Sequence, residues 1–171
     1  MSDKNFPTLQ PAMTILVHLD GEIMGVGSAS KGTPLNIAPM TGGTAVSHPE
    51  FSPSIDAVLD SRGNDYIRND PDGKHMRLDA HTVLKDKHSG SLVYAHYTGV
   101  VDITPELGAI LSGKEDAKST DFGNSFVHFT FETGDEKLKA LENGVFVGAG
   151  RFVLETDRPI TVEYRISRVV M

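Results

Sequence analysis

The chain has no cysteine, so disulfides, thiolate metal sites and cysteine nucleophiles are all excluded. It has no excess of basic residues either. Its 171 residues carry 16 Lys and Arg against 23 Asp and Glu, a net charge of -7, and no lysine-arginine stripe breaks that balance. Nucleic-acid and anionic-membrane partners, which need concentrated positive charge, are therefore not expected. No apolar run approaches the roughly 18 residues that a membrane span requires. Residues 1–11 are polar and broken by Pro7 and Pro11, unlike a signal or transit segment. A cytoplasmic protein is the expectation, with a loose tail over residues 1–12 and one folded domain over 13–171.

Several chemistries are missing as well. There is no Gly-x-Ser-x-Gly elbow for a serine hydrolase, and Gly25-x-Gly27 lacks the third glycine and the strand-helix setting of a dinucleotide loop. No His-x-His or His-x-x-x-His pair is present to hold a zinc from one element. No metal and no cofactor is expected.

What the chain does have is alternation. Met13, Ile15 and Val17 alternate with polar neighbours up to Asp20-Gly21, a two-residue turn that predicts a hairpin into Glu22–Ser28. Residues 31–53 read as short strands joined by turns. In Ser125–Glu132, Val127, Phe129 and Phe131 share one face, and in the last strand Val162, Tyr164 and Ile166 do the same. Thr104-Pro105-Glu106 predicts a helix start, and Thr133-x-x-Glu136 a second short helix. The charged stretch 114–123 predicts a surface loop able to act as a lid. With many short strands and no βαβ rhythm, the fold class is all-β, a single antiparallel eight-stranded barrel with two short helices.

The stretch from Tyr66 to Val101 carries the candidate site. Two β-rich runs flank a turn at Asp86-Lys87-His88-Ser89-Gly90. With Lys85 opposite Ser91, His81 faces Ala95 and Asp79 faces Tyr97. That register puts Arg77, Asp79, His81 and Tyr97 on one face, the expected lumen, and points His96 away from it. Asp79 can orient His81 as an acid-base pair, with Tyr97 as hydrogen-bond donor to developing charge.

The motifs Leu78-Asp79-Ala80-His81-Thr82, Gly90-Ser91-Leu92-Val93-Tyr94 and Gly99-Val100 resemble the core of the domain of unknown function 3237 family. Asn64-Asp65-Tyr66 with Asp72-Gly73, Gly42-Gly43-Thr44, and Phe131-Glu132-Thr133 with Phe146-Val147-Gly148 extend the resemblance over nearly the whole chain. It implies a barrel similar to allene oxide cyclase and lipocalins, with a small-molecule cavity. Fungal members act in phenalenone-type aromatic polyketide pathways, closing an oxygen ring by intramolecular hydroalkoxylation of a prenyl-type alkene. The resemblance therefore implies a cofactor-independent cyclase or isomerase with a hydrophobic aromatic substrate. Asp65 and Asp79 match the family pattern. His81, Thr82, Tyr66 and Tyr97 stand where the family has arginine, tyrosine, tryptophan and asparagine. The expected catalytic residues are Asp79, His81 and Tyr97; the expected substrate-binding residues are Tyr66, Arg77, Asp65, His128 and Phe129. A lipocalin-like carrier or sensor is the alternative function, and apolar residues on both sheet faces suggest a homo-oligomer.

Overall fold

The computed structural model describes residues 4–19, 22–28, 30, 32–60 and 62–171. The strands are β1 (Thr8–Leu19), β2 (Met24–Ser28), β3 (Pro34–Ser47), β4 (Asp56–Leu59), β5 (Asn64–Asn69), β6 (His75–Asp86), β7 (Leu92–Asp102), β8 (Ser125–Thr133), β9 (Phe146–Val153) and β10 (Ile160–Val170). All the pairings are antiparallel, running β1-β10-β9-β8-β7-β6 and then through β4 and β5 to β3. β3 also pairs with β1, which closes the ring. Since β4 and β5 each bridge β6 to β3 at different heights, they act as one broken stave and the barrel has eight. Among the described residues, closure gives every stave of the ring a partner on both sides.

Period-two alternation decides what fills the ring. Val127, Phe129 and Phe131 of β8 turn inward, as do Val162, Tyr164 and Ile166 of β10 and Met13, Ile15 and Val17 of β1. Phe126, His128, Thr130 and Glu132 turn outward. One half of the barrel is solid: Phe129 stacks on Phe131, Phe131 meets Phe146 edge-on, and Phe146 meets Phe51. Leu138 and Leu141 are buried against the same core. The other half, toward the short helix, is hollow.

That helix is α1 (Pro105–Leu111), which starts where Thr104 predicts: its hydroxyl accepts the Leu107 N–H at 3.3 Å. The second expected helix is only a 3₁₀ turn, Lys139–Leu141. The Thr133 hydroxyl donates to the Leu92 carbonyl and accepts the Asp135 N–H, so it caps a tight turn at the end of β8 rather than the first turn of a helix. The loop 114–123 is bolted to β9, with Thr120 and Phe152 exchanging hydrogen bonds of 2.9 and 3.0 Å and Leu154 N–H donating to Ser119. These bonds fix Ser119 and Thr120 against the strand.

Three further expectations change. The barrel begins at Thr8, opposite Val170, so residues 8–12 are strand, bent by a bulge between Pro11 and Met13. The Asp20-Gly21 turn lies outside the described residues, and β2 pairs with β3 rather than forming a hairpin with β1. Residues 34–47 form one long strand, whose Gly43 crosses β1 so closely that a Cβ there would lie 1.9 Å from the Leu16 carbonyl oxygen.

The decisive change is in the β6–β7 turn. Asp86 N–H donates to Ser91 O, and Gly90, at φ 73°, donates back to Asp86 O. The loop is therefore four residues, and Lys85 pairs with Leu92 rather than Ser91. The Asp86 carboxylate builds this loop by accepting from His88 N–H, Ser89 N–H and the Ser89 hydroxyl at 2.8–3.1 Å. Burial raises its pKa, but the hydrogen bonds from Ser89, Asp56 and His88 win and lower it. Asp86→Ala is expected to cost about 1 kcal/mol, because the partly exposed His88 and Ser89 N–H groups lose their acceptor. Urea unfolding measures this, and an unchanged midpoint would deny Asp86 its role in the turn.

Candidate functional site

A one-residue shift in register turns every side chain of one strand over relative to the other. In the observed ladder His81 faces His96, Asp79 faces Thr98, and Ala80 faces Tyr97. Arg77, Asp79 and His81 consequently point outside the barrel, whereas Tyr97 is 2% exposed and points in. The expected lumen cluster of four is thus split by the wall.

Inside, the hollow half encloses a cavity of ≈250 Å³. Its lining includes Ala38, Met76, Leu78, Phe152 and Val162. Into this apolar space project Asp65 from β5, Tyr97 from β7 and Tyr164 from β10, with Asn36 and Asn69 nearby. The two tyrosine rings lie 5.2 Å apart between centroids. Phe129 stands behind them, 4.6 Å from Tyr97 and 5.7 Å from Tyr164, so it supports the cavity wall rather than lining it.

Asp65 is 6% exposed. It faces Ala80 in the β5–β6 ladder, and the pairing then lapses until Arg68 meets Arg77. In that gap the Asp65 carboxylate accepts the Asp79 N–H at 3.1 Å, replacing a missing strand-to-strand bond. Burial pushes its pKa up to about 7, opposed by that N–H and helped by the Asp79 charge. Burial also pushes both tyrosine hydroxyls up, and each feels the other and Asp65. With a pKa near neutrality Asp65 can both give and take a proton, while the two tyrosine hydroxyls beside it stay protonated. The Asn69 side-chain amide oxygen is buried without a partner at the edge of this cavity.

Outside, His81 and His96 stack with centroids 4.4 Å apart and both reach Asp79. Tyr66 meets the His81 ring edge-on at 5.9 Å, so it walls this outer cluster and not the lumen. Partial burial raises the Asp79 carboxyl, but the His96 hydrogen bond and the two imidazoles outweigh it and hold it below its ordinary value. Arg77 is bound to Asp70 through a fork of 2.6–3.2 Å. His128 is exposed, and with Arg77 it lines a shallow outer groove of ≈920 Å³ that is open to solvent. Of the expected site residues, then, Asp65 and Tyr97 line the cavity. Phe129 backs it, and Tyr66, Arg77, Asp79, His81 and His128 do not enter it. Tyr164 and Asn69 were missed; a signal existed for Tyr164, which shares its strand's inward face with Val162 and Ile166.

The family model described as "Protein of unknown function (DUF3237)" matches residues 7–169. No curated protein matches the chain in sequence. Among solved structures, a beta-barrel like protein from Acinetobacter baumannii AYE is 21% identical, with TM-score 0.73 and 99% of each chain covered. A conserved protein of unknown function from Rhodopseudomonas palustris is 18% identical, with TM-score 0.77, covering 98% of this chain and 100% of its own. An enzyme from Penicillium herquei is 17% identical, with TM-score 0.56, covering 99% of this chain and 98% of its own. These likenesses establish the barrel fold. No helix among the described residues is long and apolar enough to cross a membrane.

Proposed function

We propose that this chain, which belongs to the DUF3237 family, is a cofactor-independent cyclase or isomerase whose active site is the barrel lumen. The observation that carries the reading is a buried carboxyl, Asp65, sharing an apolar cavity with Tyr97 and Tyr164. The barrel's likeness to an enzyme from Penicillium herquei favours catalysis over storage. The reaction fitting such a site is intramolecular hydroalkoxylation of a prenylated aromatic polyketide. Protonated Asp65 gives its proton to the alkene, the phenol oxygen attacks the resulting cation, and the phenolic proton returns to Asp65 through the tyrosine hydroxyls. One C–H and one C–O bond form, one O–H bond and the alkene π bond are lost, and nothing is oxidised. Apolar walls exclude the water that would otherwise trap the cation.

The cavity of ≈250 Å³ narrows the substrate. It lies just below the roughly 300–1,000 Å³ of drug-sized sites, which favours a compact, monocyclic phenol.

The test is incubation of chelator-treated protein with prenylated monocyclic phenols, followed by chiral chromatography and mass analysis. One enantiomer of a ring-closed isomer, at unchanged mass, is the expected result. Tight binding with no isomer would favour a carrier, for which the largely apolar lining is equally suited; no binding would remove prenylated phenols from consideration.

A further inference from the structure

The outer face of the β5–β6–β7 wall carries a second constellation that the lumen chemistry does not use. His81 and His96 stand opposite each other in the β6–β7 ladder, and Asp79 lies two residues before His81 on the same face. Asp79 Oδ1 is 3.1 Å from His81 Nε2 and 2.9 Å from His96 Nε2. We propose that Asp79, His81 and His96 form a binding site for a divalent transition-metal ion of the zinc class.

Two imidazoles and one carboxylate are a donor set that suits such ions, and three protein ligands leave a position open for water. The side chains of Asp79, His81 and His96 are 46%, 41% and 31% exposed, so that position faces solvent. Spacing agrees with the donor set. Zinc bonds of about 2.0–2.1 Å place tetrahedral ligand atoms roughly 3.3 Å apart, so the two Asp79–imidazole contacts need to open by only a few tenths of an ångström, while the stacked rings, 17° apart, tilt to aim both Nε2 atoms at one ion. The ligand atoms of all three residues lie within 4.8 Å of one another.

Their surroundings are built as well. His81 Nδ1 is 2.6 Å from the Tyr94 hydroxyl, which can accept the Nδ1 proton and so leave the Nε2 lone pair for the ion. Tyr66 closes the flank of the His81 ring. The backbone of Asp79 is pinned by the Asp65 carboxylate from the other side of the wall. With no ion bound, both Nε2 atoms lie within hydrogen-bond distance of one carboxylate oxygen. An ion takes that place when each imidazole is neutral and carries its proton on Nδ1.

A second cluster of possible ligands among the described residues, Asp70, Asp72 and His75, is a natural comparison. There the Arg77 guanidinium already occupies Asp70, at 2.6 Å, and competes with any ion.

Calorimetric titration of zinc chloride into chelator-stripped, desalted protein tests the proposal. One site per chain is expected, lost in His81→Ala, His96→Ala and Asp79→Asn, and weakened about tenfold in Tyr94→Phe, the low end for a supporting partner. His75→Ala is expected to bind as the wild type does. Melting curves of the metal-free variants verify that each is folded. Absence of a one-to-one site in the wild type would overturn the proposal, as would a site that survives both histidine substitutions or vanishes in His75→Ala.

Discussion

Asp65→Asn is expected to lower ring-closing turnover by about 10² to 10⁴-fold, the usual contribution of a positioned acid or base, with substrate affinity changed only slightly. The amide is nearly the same size as the acid. Its oxygen can still accept the Asp79 N–H, which the carboxylate accepts at 3.1 Å, so the wall gap stays bridged. What is lost is the transferable proton. Cavity shape and apolar lining, which determine binding of an oily substrate, remain. The effect should fall on kcat far more than on KM, the pattern of an interaction made only in the transition state. Equal loss in both would point to a collapsed cavity, and undiminished kcat would remove Asp65 from the chemistry. Tyr97→Phe should follow in the same direction, because it deletes a hydroxyl from the proton's return path and leaves the ring packed 4.6 Å from Phe129.

That Tyr97 lies inside the barrel while Asp79 lies outside it turns on one residue in a loop. The strands β6 and β7 were legible from their β-rich runs, and so was the turn between them, but the identity of the opposing pair depends on loop length. Four loop residues rather than five exchange His96 for Tyr97 as the residue beside His81 and Asp79. The sequence does contain the determinant. Asp86 three residues before Ser89 can cap its N–H, and Gly90 can take the positive φ that brings Ser91 back opposite Asp86. The phases of β1, β8 and β10 were read correctly because alternation is local and each has one strongly apolar face. The start of α1 was read for the same reason, since Thr104 and Pro105 act within one turn.

The rest depends on closure. Tyr164 meets Tyr97 only because β10, β9, β8 and β7 stand side by side in the ring, an arrangement of pairings that no window of residues encodes. Thr133-x-x-Glu136 failed as a helix signal because β8 runs through Thr133 and Glu142, not Glu136, accepts the Thr133 N–H. Local signals lose wherever a longer-range ladder claims the same backbone groups. The hollow half of the barrel was equally hidden, since it depends on where the larger cluster of rings packs: Phe51, Phe129, Phe131 and Phe146 fill the opposite half, while Phe152 lines the cavity.

A carboxyl whose protonated form is favoured by an apolar cavity must also show in the protein's stability. Asp65 titrates at about 7 when folded, against about 3.9 for an unfolded aspartate. Below about pH 4 both states hold the proton and the burial carries no ionisation penalty. As pH rises toward 7 the unfolded state releases its proton first, which favours unfolding, and the loss is complete once the folded group ionises. Three pH units correspond to about 4 kcal/mol. Other acids run the opposite way: Glu163, raised by burial but held low overall by Arg151 and Arg165, stabilises the fold at neutral pH and loses that contribution in acid. The whole-protein profile mixes these terms, so the informative quantity is the difference between Asp65→Asn and wild type. That difference should move by about 4 kcal/mol in favour of the variant between pH 4 and pH 8, a relative gain of roughly 10 °C in melting temperature for a domain of this size. Paired urea titrations across that range measure it. Parallel profiles would mean that ionised Asp65 is solvated, and a cavity wet enough to solvate it would not protect a carbocation either.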